Sequence, residues 1–466
     1  MADTKPHHNS TARLGGWLPQ DTEHVERWIR KLKKFASEHP RPLIAPIAEF
    51  QQMVYSDPVL YSNFQGMFAE AYWLKKRTPL LWEPEPQTFE DFLVLLNAIM
   101  TTAPEAYQTV DKKTSELEPA GMIGFPINAL LDWPMGTAFG YEVFANSLVN
   151  QQFKKILSHW SNFLVAKPSR YVLVRNNPSS GAIAWLGPHA QAEMVKVAMQ
   201  ALGDGTNPIS PTATFADIFN CDSNDTYYGF KSWDDFFTRT FRNNVRPVSG
   251  VGDDSVIVNA CESTPYRLAH HVKGSDSFWI KGQPYSLQNM LNWDEYALLF
   301  EGGTVYQAFL SALSYHRWHS PVSGKIVKAY VVNGSYYLES LSKGFFDKNP
   351  KEGPDAAAPN NSQGFLTAVA TRALILIQAD NPAIGLMCVM PVGMAEVSSC
   401  EITVKMGDHV NKGDQLGMFH FGGSTHCLIF HPGVNLKFTL YGEQPSEAAT
   451  TNIRVKTQIA TVNSGG

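Results

Sequence analysis

The feature that most constrains this chain is a change of hydrophobic period near residue 245. Before it, apolar residues recur at helical spacing. In DTEHVERWIRKLKKFASEHP, Val25, Trp28, Ile29, Leu32 and Phe35 fall on one face, Asp21 or Thr22 can cap the start, and Pro40 closes the end. TFEDFLVLLNAIM opens with Thr88 three residues before Asp91, the spacing of a capping box. SLVNQQFKKILSHWSNFLV aligns Val149, Phe153, Ile156, Trp160 and Leu164 in a stripe that reads as helix-packing core rather than a cofactor site. Past residue 245, short β-rich runs (SVIVNA, GKIVKAYVV, ALILIQA, GLMCVMPVG) alternate with glycine turns. FDKNPKEGPDAAAPNNSQG, residues 346–364, reads as an exposed loop. The expected architecture is α+β: a helical N-terminal region over 1–225 and a β-rich domain over 226–466.

With 44% hydrophobic and 17% charged residues in a length of 466, the chain can bury a sizeable core. A net charge of −5 argues against nucleic acid or an anionic membrane as partner. The opening MADTKPHHNSTARLGG has no apolar h-region, and no run approaches the roughly 18 apolar residues of a membrane span. Cys221, Cys261, Cys388, Cys400 and Cys427 are scattered, with no CxxC pair. Neither a disulfide framework nor a metal site is expected from them, and a cytoplasmic location is. The sequon at Asn360 then stays unglycosylated.

Four stretches of the second half carry candidate chemistry. MFHFGGSTHCLIF, residues 418–430, sets Gly422 and Gly423 before Ser424 inside a strand-like run. Paired glycines weaken a strand but serve where the backbone bends sharply or is approached closely. Ser424 reads as a turn hydroxyl or as a nucleophile. SYHRWHSPVSGKIV contains His316 and His319, NACESTPY ends an apolar strand on Glu262, and VKMGDHVNKGDQLGMF spaces its glycines like the turns of a compact barrel. Taken singly, these are core or surface histidines and a strand-end carboxylate. Taken together, they suggest a serine activated by a histidine base, with a carboxylate fixing the histidine tautomer. The nearest electrophile is the chain's own Gly423 carbonyl.

These stretches resemble the phosphatidylserine decarboxylase family of pyruvoyl enzymes, and within it the soluble fungal branch that decarboxylates L-tryptophan, the psilocybin-pathway type. SWDDFFTRTFRNNVRPV, NACES, FWIKGQPYSLQNML, LSYHRWHSPVSGKIV, VMPVGMAEVSSCEITV and VNKGDQLGMFHFGGST carry the resemblance from about Tyr228 to Phe430. GGWLP, PIAEFQ and SDPVLYSNFQGMF extend it more loosely to the N-terminal region. The resemblance implies a pyruvoyl-decarboxylase domain with barrel-sandwich-like strands, against which the helical region packs. It also implies self-cleavage between Gly423 and Ser424. Ser424 attacks the Gly423 carbonyl, an N-to-O acyl shift follows, and β-elimination and hydrolysis leave a pyruvoyl group in place of Ser424. Fragments 1–423 and 424–466 stay associated. The pyruvoyl group then serves as the electron sink in place of pyridoxal phosphate.

By the same resemblance, His316 returns a proton to the substrate carbon and His319 is the base for Ser424, although the sequence does not separate these two roles. The phospholipid enzymes carry ADG where this chain has Cys261-Glu262-Ser263. Glu262 would therefore supply the carboxylate of a Glu262–His319–Ser424 triad, with Asp253 and Asp254 as alternatives. GGST replaces the LGST of many members and leaves the scissile bond unchanged. The implied reaction is conversion of free L-tryptophan to tryptamine and CO2. A phosphatidylserine decarboxylase and a broader aromatic L-amino-acid decarboxylase are the enzymatic alternatives. A lipoyl-like carrier module, suggested by VKMGDHVNKGDQLG, is the non-enzymatic one.

Overall fold

A computed structural model describes residues 18, 22–76, 86–110, 114–175, 182–205, 207–276, 283–343, 358–396, 399–421, 424–446 and 449–463. The first part of the chain is built largely of helices: α1 (Thr22–Glu38), α2 (Ala45–Ser56), α3 (Pro58–Lys76) and α4 (Phe89–Ile99). Val25, Trp28, Ile29 and Leu32 are buried along α1, as their spacing requires, whereas Phe35 is exposed. Thr88 accepts the Asp91 N–H at the start of α4.

A hairpin, β1 (Glu105–Val110) and β2 (Leu117–Ile123), interrupts the helices. After it come α5 (Pro126–Leu131), α6 (Ala138–Ala145) and α7 (Ser147–Leu164). β3 (Ala182–Ile183) completes a three-stranded sheet in the order β2-β1-β3. The helical reading of residues 1–225 missed this sheet because EAYQTV and LEPAGMI are short and carry no apolar alternation. On α7, Val149, Phe153, Ile156, Trp160 and Leu164 are all fully buried. α8 (Pro188–Gln200), α9 (Phe215–Ile218) and α10 (Trp233–Phe237) lead into the strand-rich part.

That part begins with β4 (Val256–Val258), β5 (Thr264–Ala269), α11 (Leu287–Met290), β6 (Thr304–Leu310), β7 (Arg317–His319) and β8 (Gly324–Val332). Two short helices follow, α12 (Ala358–Asn361) and α13 (Gln363–Val369). Residues 358–364 of the expected exposed loop are therefore largely helical, and Ala358, Gln363 and Gly364 are buried. Residues 346–357 of that loop lie outside the described residues. The remaining strands are β9 (Arg372–Ala379), β10 (Leu386–Gly393), β11 (Ser399–Ile402), β12 (His409–Val410), β13 (Gln415–His420), β14 (Ser424–Phe430), β15 (Leu436–Phe438) and β16 (Gln458–Val462).

A seven-stranded antiparallel sheet in the order β12-β8-β9-β10-β14-β6-β5 forms the centre. β14 lies between β10 and β6 and is buried at every position, so it reads as a continuous apolar run rather than an alternating one. Two three-stranded sheets, β11-β13-β7 and β15-β16-β4, complete the strands. Among the described residues these sheets are open and none closes into a barrel. The fold is α+β. No described helix is long and apolar enough to cross a membrane.

Candidate active site

Ser424 is the first residue of β14, paired in register with Leu310 of β6 and Gly393 of β10. It is fully buried, and its Oγ has no hydrogen-bond partner among the described residues. Gly422 and Gly423, including the carbonyl expected to be attacked, lie outside the described residues. Just before them, Phe421 is buried at φ +74°, a left-handed conformation that strains a bulky aromatic residue. His420, one residue earlier, is gripped from both sides. Its Nδ1 lies 2.8 Å from Asp234 and its Nε2 2.8 Å from Glu401. Burial opposes its charge, but these two carboxylates prevail and hold its pKa above the ordinary value.

His316 precedes β7, and its carbonyl accepts the Phe419 N–H at 3.0 Å. Its ring stacks on Phe237, with centroids 4.1 Å apart and planes 18° from parallel. The backbone of Ser311 also acts on the imidazole. Ser311 follows Leu310, the cross-strand partner of Ser424, so His316 stands at the Ser424 end of β6. Burial, reinforced by the Arg239 charge, pushes its pKa well below the ordinary value, and the resting ring is neutral.

His319 is held differently. Its Nδ1 lies 2.8 Å from the Gly413 carbonyl, which can only accept, so Nδ1 carries the proton. Its Nε2 then accepts from the Tyr315 hydroxyl at 3.1 Å. Burial, followed by the Lys456 charge, lowers its pKa to about 3, so this ring too is neutral.

Glu262 is buried, and both of its oxygens take hydrogen bonds from Arg246; Oε2 also accepts the Val455 N–H at 2.8 Å. The expected Glu262–His319 hydrogen bond is thus not formed. The guanidinium fork occupies the carboxylate, and a backbone carbonyl orients the imidazole instead. Among the described residues the two are joined through the backbone, where Ala260, two residues before Glu262, accepts the His319 N–H at 2.8 Å. Asp253 and Asp254 are exposed, and Asp253 binds its own turn at Ser255.

A phosphatidylserine decarboxylase family model matches residues 233–454, and a second phosphatidylserine decarboxylase model matches residues 44–194. The L-tryptophan decarboxylase of Psilocybe cubensis is 36% identical over 420 residues, covering 89% of this chain and 87% of that protein. The L-tryptophan decarboxylase of Psilocybe cyanescens is 34% identical over 457 residues, covering 96% of this chain and 94% of that protein. The chain belongs to the phosphatidylserine decarboxylase family. The decarboxylase iboD of Amanita muscaria, 41% identical over 319 residues (68% of this chain, 86% of that protein), is a further fungal relative.

This decarboxylase is a carboxy-lyase of a pyruvoyl-dependent family, and the surroundings of Ser424 fit such a group. Among the described residues nothing bonds the buried Oγ, and Ser424 heads a strand fixed on both edges. Sequence reasoning did not single out Tyr315, Gly413, Phe237 or Arg246. Tyr315 sits in the SYHRWH stretch beside both histidines, and Arg246 closes FRNNVR, so the available signal was adjacency to quoted motifs. A separate open cavity of about 760 Å³, lined in part by Arg175, Gln191, Phe215 and Tyr228, includes neither Ser424 nor the two histidines.

Proposed function

We propose that this chain is a self-processing L-tryptophan decarboxylase that makes tryptamine and CO2 in the cytoplasm, using a pyruvoyl group derived from Ser424 and no pyridoxal phosphate. The observation that carries the chemistry is the fully buried Ser424 Oγ, which has no hydrogen-bond partner among the described residues and follows a strained Phe421 and the two glycines. The substrate assignment rests on the two Psilocybe enzymes, which align with almost the whole chain. All five cysteines are free, which suits a reducing compartment.

In maturation, the Ser424 Oγ attacks the Gly423 carbonyl and the acyl group moves from nitrogen to oxygen. Loss of the Ser424 Cα proton then breaks the Cβ–O bond and frees the Gly423 carboxylate. Hydrolysis of the resulting dehydroalanine releases ammonia and leaves the ketone. The pyruvoyl group, once formed, supplies an electron sink next to the substrate amine. His319 is the base for Ser424: its Nδ1–H is tied to Gly413, so any proton it takes up goes to Nε2, which would have to release the Tyr315 hydroxyl it now accepts from. His316, neutral at rest and fixed in orientation by Phe237, takes up a proton from the substrate ammonium and returns it to the substrate carbon. Glu262 acts as a positioning residue through the 260–262 backbone that carries His319. Fragments 1–423 and 424–466 stay together because β14 is laddered to β10 and β6 and β16 to β4.

The test is intact-mass analysis followed by one competition reaction containing L-tryptophan, L-phenylalanine, L-tyrosine and phosphatidylserine without added cofactor. Tryptamine as the main product is expected. Phosphatidylethanolamine would overturn the substrate, and an excess of phenethylamine or tyramine would make the enzyme a broader aromatic decarboxylase.

A further inference from the structure

Among the described residues, Glu396, Asn128 and Tyr337 are three of the buried side chains outside this machinery whose polar atoms lack a hydrogen-bond partner. Glu396 Oε1 accepts the backbone N–H groups of Ile127 at 2.5 Å and Asn128 at 2.7 Å, but its Oε2 has no partner. Both amide atoms of the Asn128 side chain are unbonded, as is the Tyr337 hydroxyl. All three residues are at most 1% exposed. Burial and then the Glu396 charge push the Tyr337 phenol well above its ordinary range. Burial also raises Glu396 itself, to about 8, against the pull of its backbone donors, so it is mostly protonated at neutral pH, and an N–H donor bound at Oε2 would favour the ionised carboxylate. Protein interiors leave few such groups, and each calls for a partner such as an ordered water or a ligand.

Glu396 lies near Ser424 along the chain path. Gly393 is the register partner of Ser424, and Glu396 is three residues beyond it, past a turn with Ala395 at φ +54°. Three residues span at most about 10 Å, the scale of one amino acid with a two-ring side chain. The surroundings are aromatic. The Tyr337 ring lies 5.0 Å from Phe153 and 5.8 Å from Phe144. Two turns along α7 from Phe153, Trp160 lies 6.3 Å from Phe421. Aromatic rings packed on Tyr337, together with an uncommitted carboxylate oxygen on Glu396, suit a flat ring bearing one N–H.

We propose that Glu396, Asn128 and Tyr337 form the specificity subsite of this decarboxylase, with Glu396 Oε2 accepting the indole N–H of the substrate. Asn128 and Tyr337 complete the polar end of the slot. This deepens the tryptophan assignment and rests on it. Glu396→Gln is an informative probe because the two backbone N–H groups fix the glutamine oxygen, which turns its donor-only amide nitrogen toward the indole N–H.

The experiment compares kcat/KM for L-tryptophan and 1-methyl-L-tryptophan in wild type and Glu396→Gln, with L-phenylalanine as a third substrate. The tryptophan to 1-methyltryptophan ratio is expected to fall at least about 10-fold in the variant, the scale of a lost charged hydrogen bond. The tryptophan to phenylalanine ratio is expected to fall with it. Should Glu396→Gln fail to mature, Tyr337→Phe removes one hydroxyl and is read by the same ratios, with a fall of about 3-fold expected. Unchanged ratios, or all three substrates falling together, would overturn the subsite while leaving the tryptophan assignment standing. A wild-type enzyme that makes no tryptamine would overturn both.

Discussion

Arg246 grips Glu262 through a buried, forked ion pair, with both side chains only 2% exposed. The same carboxylate accepts Val455 N–H, so the pair fastens the C-terminal segment to the strand-rich core. Removing one partner leaves a buried charge uncompensated, which costs about 3–5 kcal/mol. Arg246→Leu is therefore expected to lower the midpoint of thermal unfolding sharply, and Glu262→Gln to lower it in the same direction. Glu262→Gln should also slow self-cleavage, through loosening of the backbone that holds His319. A Glu262→Gln chain of wild-type stability that nonetheless cleaves slowly would instead give the carboxylate a direct part in the chemistry.

Ser424→Ala removes the nucleophile, so purified protein is expected to run as one full-length inactive chain. The wild type should give two pieces, 1–423 and 424–466, that co-purify under native conditions and separate in denaturant. The smaller piece should resist N-terminal sequencing because a ketone replaces its amine. Intact-mass spectra read all three outcomes, and normal cleavage of Ser424→Ala would remove Ser424 from its role.

The two histidines are expected to separate by phenotype. His319→Ala should block or greatly slow maturation. His316→Ala should mature and then decarboxylate about 10²–10⁴-fold more slowly, the usual scale for losing a general acid–base group. Gel analysis of cleavage together with a tryptamine assay on the cleaved protein distinguishes this assignment from the reverse.

Buried neutral histidines make the fold acid-sensitive. Burial is the leading cause that lowers both His319 and His426 to about 3. In the unfolded chain their pKa returns to about 6.5. Below that pH the unfolded chain binds protons that the folded chain does not, so stability falls as pH drops from about 6.5 toward 3. Thermal midpoints measured across this range should decline, and His426→Gln should flatten the decline.

His420 is expected to act in the opposite direction. Its pKa is raised by Asp234 and Glu401 against burial. Its stabilisation is fully present below about pH 6.5 and is lost as pH rises through the raised folded value. The stability difference between wild type and His420→Gln should shrink on going from pH 6 to alkaline pH. A constant difference would show that the two carboxylate contacts do not depend on the imidazolium.

Much of this protein was legible in its sequence. Helical spacing in α1 and α7 and apolar runs in β8, β9 and β10 fixed those elements, because a periodic pattern records which face will be buried. The GGST motif and the paired histidines pointed to Ser424, His316 and His319 because their residue types limit the available chemistry. The partners of these groups were decided only by the tertiary structure. Whether Glu262 faces His319 or Arg246, and whether Gly413 orients an imidazole 94 residues away in sequence, depends on strand pairing that no local pattern encodes. The same is true of Glu396, which meets the Asn128 backbone 268 residues away and whose only sequence signal is its place in the quoted stretch VMPVGMAEVSSCEITV. Burial of a polar group and the supply of its partners are long-range properties. The sequence offered the candidate reacting groups, and the packing of the sheets set what holds them.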